Sequence, residues 1–143
     1  MDGLFHNGAM PALERLVQFT EKRQAVLAHN VANLSTPRFR PTDLDVDAFQ
    51  AALGRAIDQR RARDAPHDGP LDLRNDRAFT FRRDGLDVNP RPLDENVLFH
   101  DENNRDLERM MQDVAENQMV HAAGVRLLKN QFDLLEVAIR EQP

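Results

Sequence analysis

Five histidines are the side chains best suited to metal binding or acid–base catalysis, but their spacing favours neither. No two of them stand four residues apart, and the chain has no His-Glu-x-x-His sequence, so a zinc site would need ligands from distant segments. We therefore expect structural roles, with His121 as a partly buried polar residue on a helix. The five are His6, His29, His67, His100 and His121.

Three alternating aspartates, Asp43, Asp45 and Asp47, are arranged like the start of a calcium-binding loop. Such a loop needs Gly at its sixth position and Glu at its twelfth, where this chain has Ala48 and Gly54. The sequence also lacks a glycine-rich phosphate loop, a Gly-x-Ser-x-Gly motif and any cysteine. It therefore predicts a protein that is not an enzyme and has no cofactor, metal or small-molecule substrate.

The charge distribution argues against a nucleic-acid partner. Nineteen basic and 24 acidic residues give a net charge of -5, and the densest basic cluster, Arg60 to Arg63, is flanked by Asp58 and Asp64. No stretch approaches the ~20 apolar residues of a membrane span. The first ten residues lack the basic and apolar regions of a secretory signal, so we expect any export to proceed without a cleaved signal peptide.

Prolines and glycines divide the 143 residues into three parts. Six of the eight prolines and three of the six glycines lie between residues 37 and 92. This pattern predicts a mainly α protein with an N-terminal helical segment (1–34), an irregular middle segment (35–104) and a C-terminal helix (105–143).

Both terminal segments show the 4-3 apolar spacing of a coiled-coil seam. In the N-terminal helix, Pro11 suits the first turn, and Thr36-Pro37 forces an end near Asn33. The seam there comprises Leu13, Val17, Thr20, Gln24, Leu27, Val31 and Leu34. The C-terminal helix has Asn103 or Asn104 as its cap, and its seam comprises Leu107, Met111, Val114, Gln118, His121, Val125, Leu128, Phe132, Leu135 and Ile139.

These two seams are predicted to pack against each other as an antiparallel coiled-coil hairpin, because a single apolar stripe cannot bury itself. At about 1.5 Å per residue, the C-terminal helix is about 15 Å longer than its partner, and we expect the surplus to be an interface with another molecule. Both seams turn polar midway, at Thr20 and Gln24 and at Gln118 and His121. These polar residues either fix the register between partners or simply face one another.

In the middle segment the pattern predicts a short amphipathic helix over about 47–61, capped by Asp45 or Asp47. A flexible linker is expected over 62–76, where apolar residues are scarce and charges are frequent. A small β-hairpin over 77–89 is a further prediction, because Phe79-Thr80-Phe81 and Leu86 to Val88 flank the turn sequence Asp84-Gly85.

The most specific local signal lies where the first helix ends. Two asparagine amides share the last helical turn and could cap backbone groups or bridge to a neighbouring molecule. The segment is Asn30-Val31-Ala32-Asn33-Leu34-Ser35-Thr36-Pro37-Arg38-Phe39-Arg40. It resembles the N-terminal signature of flagellar rod and hook proteins, an Asn-x-Ala-Asn stretch followed by Thr-Pro-Gly-aromatic. Arg38 replaces the usual Gly, which argues against a positive φ there. The resemblance implies an assembly motif of Asn30, Ala32, Asn33, Thr36, Pro37 and Phe39.

The resemblance continues on both sides of the middle segment and covers about 70 residues. The segment Arg40-Pro41-Thr42-Asp43-Leu44-Asp45-Val46 is similar to the aromatic-x-x-x-Asp-Ile-Asp-Phe continuation in these proteins. Asn103 to Met111 with Asn117-Gln118 is similar to their closing helix. The Asp-Leu-Asp continuation and the short total length favour a proximal rod member over hook or distal rod relatives.

The resemblance implies a structural subunit of the flagellar basal body that polymerises into the proximal rod and transmits torque across the periplasm. It implies export through the flagellar type III apparatus, with other copies of the chain, other rod proteins and inner-membrane ring components as partners. The alternative is a soluble helical adaptor or regulator that binds one partner through the same coiled-coil hairpin.

Overall fold

The computed structural model describes residues 8–63, 69–93 and 103–140, with side chains of the last range from residue 107 onward. Long N- and C-terminal helices, a shorter central helix and a small hairpin confirm the mainly α prediction. The elements are α1 (Met10–Ala32), β1 (Thr42–Asp43), α2 (Val46–Arg61), β2 (Phe79–Phe81), β3 (Leu86–Val88), β4 (Arg91–Pro92) and α3 (Asn103–Arg140). The first seven and last three residues of the predicted terminal helices lie outside the described ranges.

The two long helices pack antiparallel within one chain. Val17 of α1 lies beside Gly124 of α3, Thr20 lies beside His121, and Gln24 lies beside Asn117. Residue numbers rise along one helix as they fall along the other, so the predicted antiparallel arrangement is confirmed. Counted onward from these pairs, Leu27 and Val31 are level with Val114 and Met110.

The seam predicted for α3 is wrong at six of its ten positions. Leu128 and Leu135 are half-buried, as are Val114 and His121. The other six predicted members are exposed, and buried positions beside them belong to Met110, Asn117 and Gly124, with Gln131 half-buried. The exposed members are Leu107, Met111, Gln118, Val125, Phe132 and Ile139.

The physical reason is that polar bonds and a glycine orient α3. Asn117 Nδ2 donates hydrogen bonds to Thr20 O and to Gln24 Oε1, both at 2.9 Å. At Gly124 the helices approach so closely that a Cβ would lie 3.2 Å from Val17 Cγ2. A pattern based on apolar residues alone selects the more apolar neighbours and therefore misjudges the rotation of α3 about its axis.

Gly124→Leu is expected to destabilise the helix pair by about 1–3 kcal/mol, because the added side chain has to push Val17 and Leu16 away. Gly54→Ala on α2 is the control, since a Cβ there meets nothing within 4 Å. It should stabilise the chain by about 0.5–1 kcal/mol through the lower entropy of the unfolded state. Urea unfolding followed by circular dichroism measures both. If Gly124→Leu were as stable as the parent chain or more stable, the result would contradict the close approach of α1 and α3 at this position.

The central helix and the hairpin are both present where the sequence predicts them. The Asp45 carboxylate accepts a hydrogen bond from Ala48 N at 2.9 Å and so caps α2, which begins one residue earlier than predicted. Strands β2 and β3 pair antiparallel with Phe79 opposite Val88. Residues 69–76 contain no helix or strand, and 64–68 lie outside the described residues. The flexibility of the 62–76 segment stays a prediction.

A phenylalanine core joins α1, α2 and the hairpin on a second face of α1. The rings of Phe19 and Phe49 stack with centroids 4.0 Å apart, and Phe79 presents its edge to both at 5.9 Å. Leu44 and Leu86 complete this buried cluster together with Ala78. Helix α1 is therefore covered on two faces, and the sequence analysis identified only the one toward α3.

Candidate assembly surfaces

The chain leaves α1 through two consecutive turns. Thr36 N donates to Asn33 O at 2.9 Å, and Phe39 N donates to Thr36 O at 3.2 Å. In the second turn Pro37 is followed by Arg38 with a φ of 62°, the pattern of a type II turn. The expectation that Arg38 excludes a positive φ is therefore wrong, because Pro37 and the turn hydrogen bond favour this geometry despite the Cβ. The Phe39 ring then packs edge-on against His29, with centroids 5.5 Å apart.

Arg38→Gly is expected to stabilise the chain by roughly 0.5 kcal/mol. Glycine removes a left-handed penalty of about 1–2 kcal/mol, and its more flexible unfolded state offsets part of that gain. Arg40→Gly is the matched control, because Arg40 is exposed and has no positive φ, so only the entropic loss remains. Urea midpoints compare the two, and the interpretation fails if Arg38→Gly is the less stable variant.

The Asn30 amide bonds to backbone groups of the segment that follows α1. Its side chain is 1% exposed, its Nδ2 donates to Thr42 O at 2.6 Å, and its Oδ1 accepts from Thr42 N at 3.1 Å. The amide thus occupies both backbone groups of Thr42 and holds the returning chain against α1. Asn33 does cap the helix, since its Nδ2 donates to His29 O at 2.9 Å.

The two acidic residues of the Asp-Leu-Asp sequence both have structural roles. Asp43 forms a bidentate ion pair with Arg23 of α1, with Nε–Oδ1 3.0 Å and Nη2–Oδ2 2.7 Å, and both side chains are nearly buried. The hydrogen bond to Asp43 is the main cause that raises the pKa of Arg23. Asp45 caps α2. Strand β1 also pairs antiparallel with β4, with Asp43 opposite Arg91, a pairing that the sequence did not predict.

Arg15 of α1 forms hydrogen bonds with the hairpin. Its guanidinium donates to the carbonyl oxygens of Gly85 at 2.8 Å and Arg82 at 2.7 Å, both in the turn between β2 and β3. Burial is the main cause that lowers the pKa of this group. The middle segment is therefore hydrogen-bonded to α1 through three side chains, those of Arg15, Arg23 and Asn30.

A polar layer lies at the centre of the contact between α1 and α3. Thr20 Oγ1 is 2.8 Å from His121 Nδ1, and Asn117 bonds to Thr20 O and Gln24. The polar positions of the two seams do face one another, except that Asn117 takes the place predicted for Gln118. Burial raises the pKa of Asp113, which lies at the edge of this layer close to Arg23.

Helix α3 carries most of the exposed apolar surface among the described residues. Counted from the pairs above, Met10 is level with Gln131, so residues 132–140 extend about 13 Å beyond the first residue of α1. The large exposed apolar side chains on α3 are Leu107, Met111, Met119, Val120, Val125, Leu127, Phe132, Leu134, Val137 and Ile139. The uncovered end predicted from the helix lengths is therefore present, and exposed apolar residues also lie along the paired part.

The predicted assembly motif is divided between the interior and the surface. Asn30 is buried and Asn33 and Phe39 are half-buried, while Ala32, Thr36 and Pro37 are exposed. Of the predicted seam residues, Leu27 is buried, and the half-buried ones are Leu13, Val17, Val31, Val114, Leu128 and Leu135. Val125, Phe132 and Ile139 are exposed.

The parts of the chain that the structure describes contain no group of three or more His, Asp or Glu residues able to hold a metal ion. Within those same ranges, no helix combines the length and the apolarity needed to cross a membrane.

A long antiparallel helix pair with exposed apolar residues on α3 defines a mainly α-helical protein. The chain is 32% identical over 130 residues to the flagellar basal body rod protein FlgB of Borrelia hermsii, and the alignment covers 88% of this chain and 91% of that protein. No family model matches the chain. At this identity and coverage, the chain belongs to the FlgB family of flagellar basal body rod proteins.

Proposed function

We propose that the chain is a structural, non-enzymatic subunit of the flagellar basal body that polymerises into the proximal rod and transmits torque across the periplasm. The observation that carries this proposal is the exposed apolar surface of α3, which remains although α3 is already paired with α1. Exposed apolar surface of this extent is typical of a subunit interface. Membership of the FlgB family supports the same function.

The connections within the chain suit a subunit that transmits mechanical force. The polar layer of Thr20, Gln24, Asn117 and His121 sets one register between α1 and α3, and we propose that the two helices pack as a coiled coil in the rod. The Arg23–Asp43 ion pair holds the middle segment on α1. A subunit with such fixed connections would transmit force without changing its internal arrangement.

We further propose that the chain reaches the rod through the flagellar type III export apparatus, without a cleaved signal peptide. Its partners would be other copies of the chain, other rod proteins and components of the inner-membrane ring. The alternative, a soluble adaptor with one partner, predicts a folded protein that forms a closed complex and is absent from basal bodies.

Phe132→Asp tests the function, because Phe132 is 43% exposed and lies beyond the part of α3 that α1 covers. The free energy of unfolding should change by no more than about 0.5 kcal/mol. Cells that produce only this variant should make and export the chain but lack rods and not swim. Motility in soft agar and electron microscopy of purified basal bodies are the measurements.

Two further variants separate folding from assembly. Leu128→Asp places a charge on a half-buried position facing α1 and should lower the stability of the chain itself by about 2 kcal/mol. Ala122→Asp adds the same charge at an exposed position on the outer side of α3 and should leave motility intact. Normal rods with Phe132→Asp, or basal bodies that lack the chain in the parent strain, would contradict the proposal.

A further inference from the structure

Two apolar stripes run along α3 with the same spacing. Flank A consists of Val125, Phe132 and Ile139, which are 43%, 43% and 63% exposed. Flank B consists of Val120, Leu127 and Leu134, which are 39%, 51% and 64% exposed. In each flank the three residues are seven positions apart, so each forms a nearly straight row on the helix.

The two flanks face in different directions. An α-helix advances about 100° per residue, and the side of α3 around Asn117, His121 and Gly124 faces α1. Relative to that side, flank A lies roughly 55° around the helix in one direction and flank B roughly 85° in the other. One additional helix cannot cover both flanks, so each needs its own partner.

We propose that flank A of one subunit binds flank B of a second copy of this chain, with the two α3 helices parallel and offset by about five residues. This inference rests on the proposed function, because it describes how copies of the chain contact each other in the rod. A contact between two different surfaces of identical subunits does not close on itself unless the rotation returns to the start. It therefore builds an open helical array.

The matching of the rows supports a second copy as the occupant. At an offset of five residues, about 7.5 Å along the axis, Val125 meets Val120, Phe132 meets Leu127, and Ile139 meets Leu134 of the neighbour. All three apolar pairs form together because both rows have the same period.

The charges are compatible with the same offset. Lys129 and Glu136 lie on the outer border of flank A, and at this offset they come nearest to Ala123 and Asn130 on the outer border of flank B, neither of which is charged. No like charges oppose each other along the contact, so electrostatic repulsion does not disfavour this register.

The size of the contact explains how the same subunit would remain separate before assembly. The six side chains expose roughly a few hundred Å² in total, below the about 1,200 Å² of a specific stable interface. A single contact of flank A with flank B is then weak, and the array becomes stable only when each subunit uses both flanks at once.

Cysteine cross-linking tests the contact directly, because the chain has no cysteine of its own. A strain lacking the native chain would produce Phe132→Cys and Leu127→Cys together, and its purified basal bodies would be oxidised. We expect a covalent dimer from this mixture and at least tenfold less from either variant alone. The pair Met111→Cys and Leu134→Cys, also exposed but far out of register, is the control and should give no dimer.

A charge exchange tests the same contact by motility. Phe132→Lys and Leu127→Glu should each reduce the swimming radius at least tenfold, and the double variant should recover much of it through a lysine–glutamate pair between neighbours. The two residues lie about 140° apart around one helix, so they cannot pair within a chain. Rescue would therefore report a contact between copies.

The outcomes separate this inference from the proposed function. Rods that contain the chain but give no cross-link between positions 127 and 132 would overturn the inference and leave the function intact. A dimer from Phe132→Cys alone would overturn the inference in favour of a symmetric contact between two copies of flank A. A cross-link only to another basal body protein would also overturn it and would assign flank A to that protein. Absence of the chain from basal bodies would remove the proposed function itself.

Discussion

Asn30→Ala is expected to lower the free energy of unfolding by about 2–4 kcal/mol. The substitution removes the hydrogen bonds of 2.6 and 3.1 Å to Thr42 and leaves the backbone N–H and C=O of Thr42 without their side-chain partner. Loss of one partner of a buried hydrogen bond costs about 1–3 kcal/mol. Urea unfolding monitored by circular dichroism at 222 nm is the measurement.

Asn33→Ala is the matched control for Asn30→Ala. The two residues are one helical turn apart and have the same side chain, but Asn33 only caps the helix end at a partly exposed position. Its loss should cost about 1 kcal/mol or less. Equal losses for the two variants would show that Asn30 is no more than a helix cap.

The same comparison decides how the asparagine motif acts in assembly. Because the Asn30 amide is used within the chain, we expect Asn30→Ala to impair rod formation through a displaced exit segment and not through a lost bond between subunits. In that case a more stable background, such as one carrying Gly54→Ala, should partly restore rods with Asn30→Ala. A direct bond between subunits would not be restored in this way.

Phe49→Ala should have a still larger effect, a loss of about 3–5 kcal/mol. Phe49 is 1% exposed, stacks on Phe19 at 4.0 Å and receives the edge of Phe79 at 5.9 Å. Its removal leaves a cavity where α1, α2 and the hairpin meet, and α2 and the hairpin depend on this contact for burial. Thermal unfolding by calorimetry is the measurement.

Phe39→Ala is the control for Phe49→Ala, since Phe39 is half-buried and makes one edge contact with His29. It should cost no more than about 1.5 kcal/mol, the value of an aromatic pair beyond its burial. The helix pair should survive in both variants, because its hydrogen bonds at Thr20 and Asn117 do not involve Phe49. A loss below about 1.5 kcal/mol for Phe49→Ala would indicate that the phenylalanine cluster is not the core of the middle segment.

Local sequence determined the positions of the elements in this protein. Pro11 and the Ser-Thr-Pro stretch bound α1, Asp45 caps α2, and Asp84-Gly85 lies in the turn of the hairpin. Each of these features acts within a few residues, through a fixed φ, a side-chain bond to a nearby backbone N–H, or a turn. Such effects can be identified in a sequence because their energies depend only on neighbouring residues.

Tertiary structure alone decided which faces meet. The rotation of α3 depends on Asn117 bonding across to α1 and on the space left by Gly124. The positions of Asn30 and Phe19 depend on Thr42 and Phe49, which are 12 and 30 residues away in the chain. A periodic pattern records how apolar each position is but not which surface another element will cover. The sequence predicted a surplus of apolar surface on the C-terminal helix, but which of its residues remain exposed was decided only by the tertiary structure.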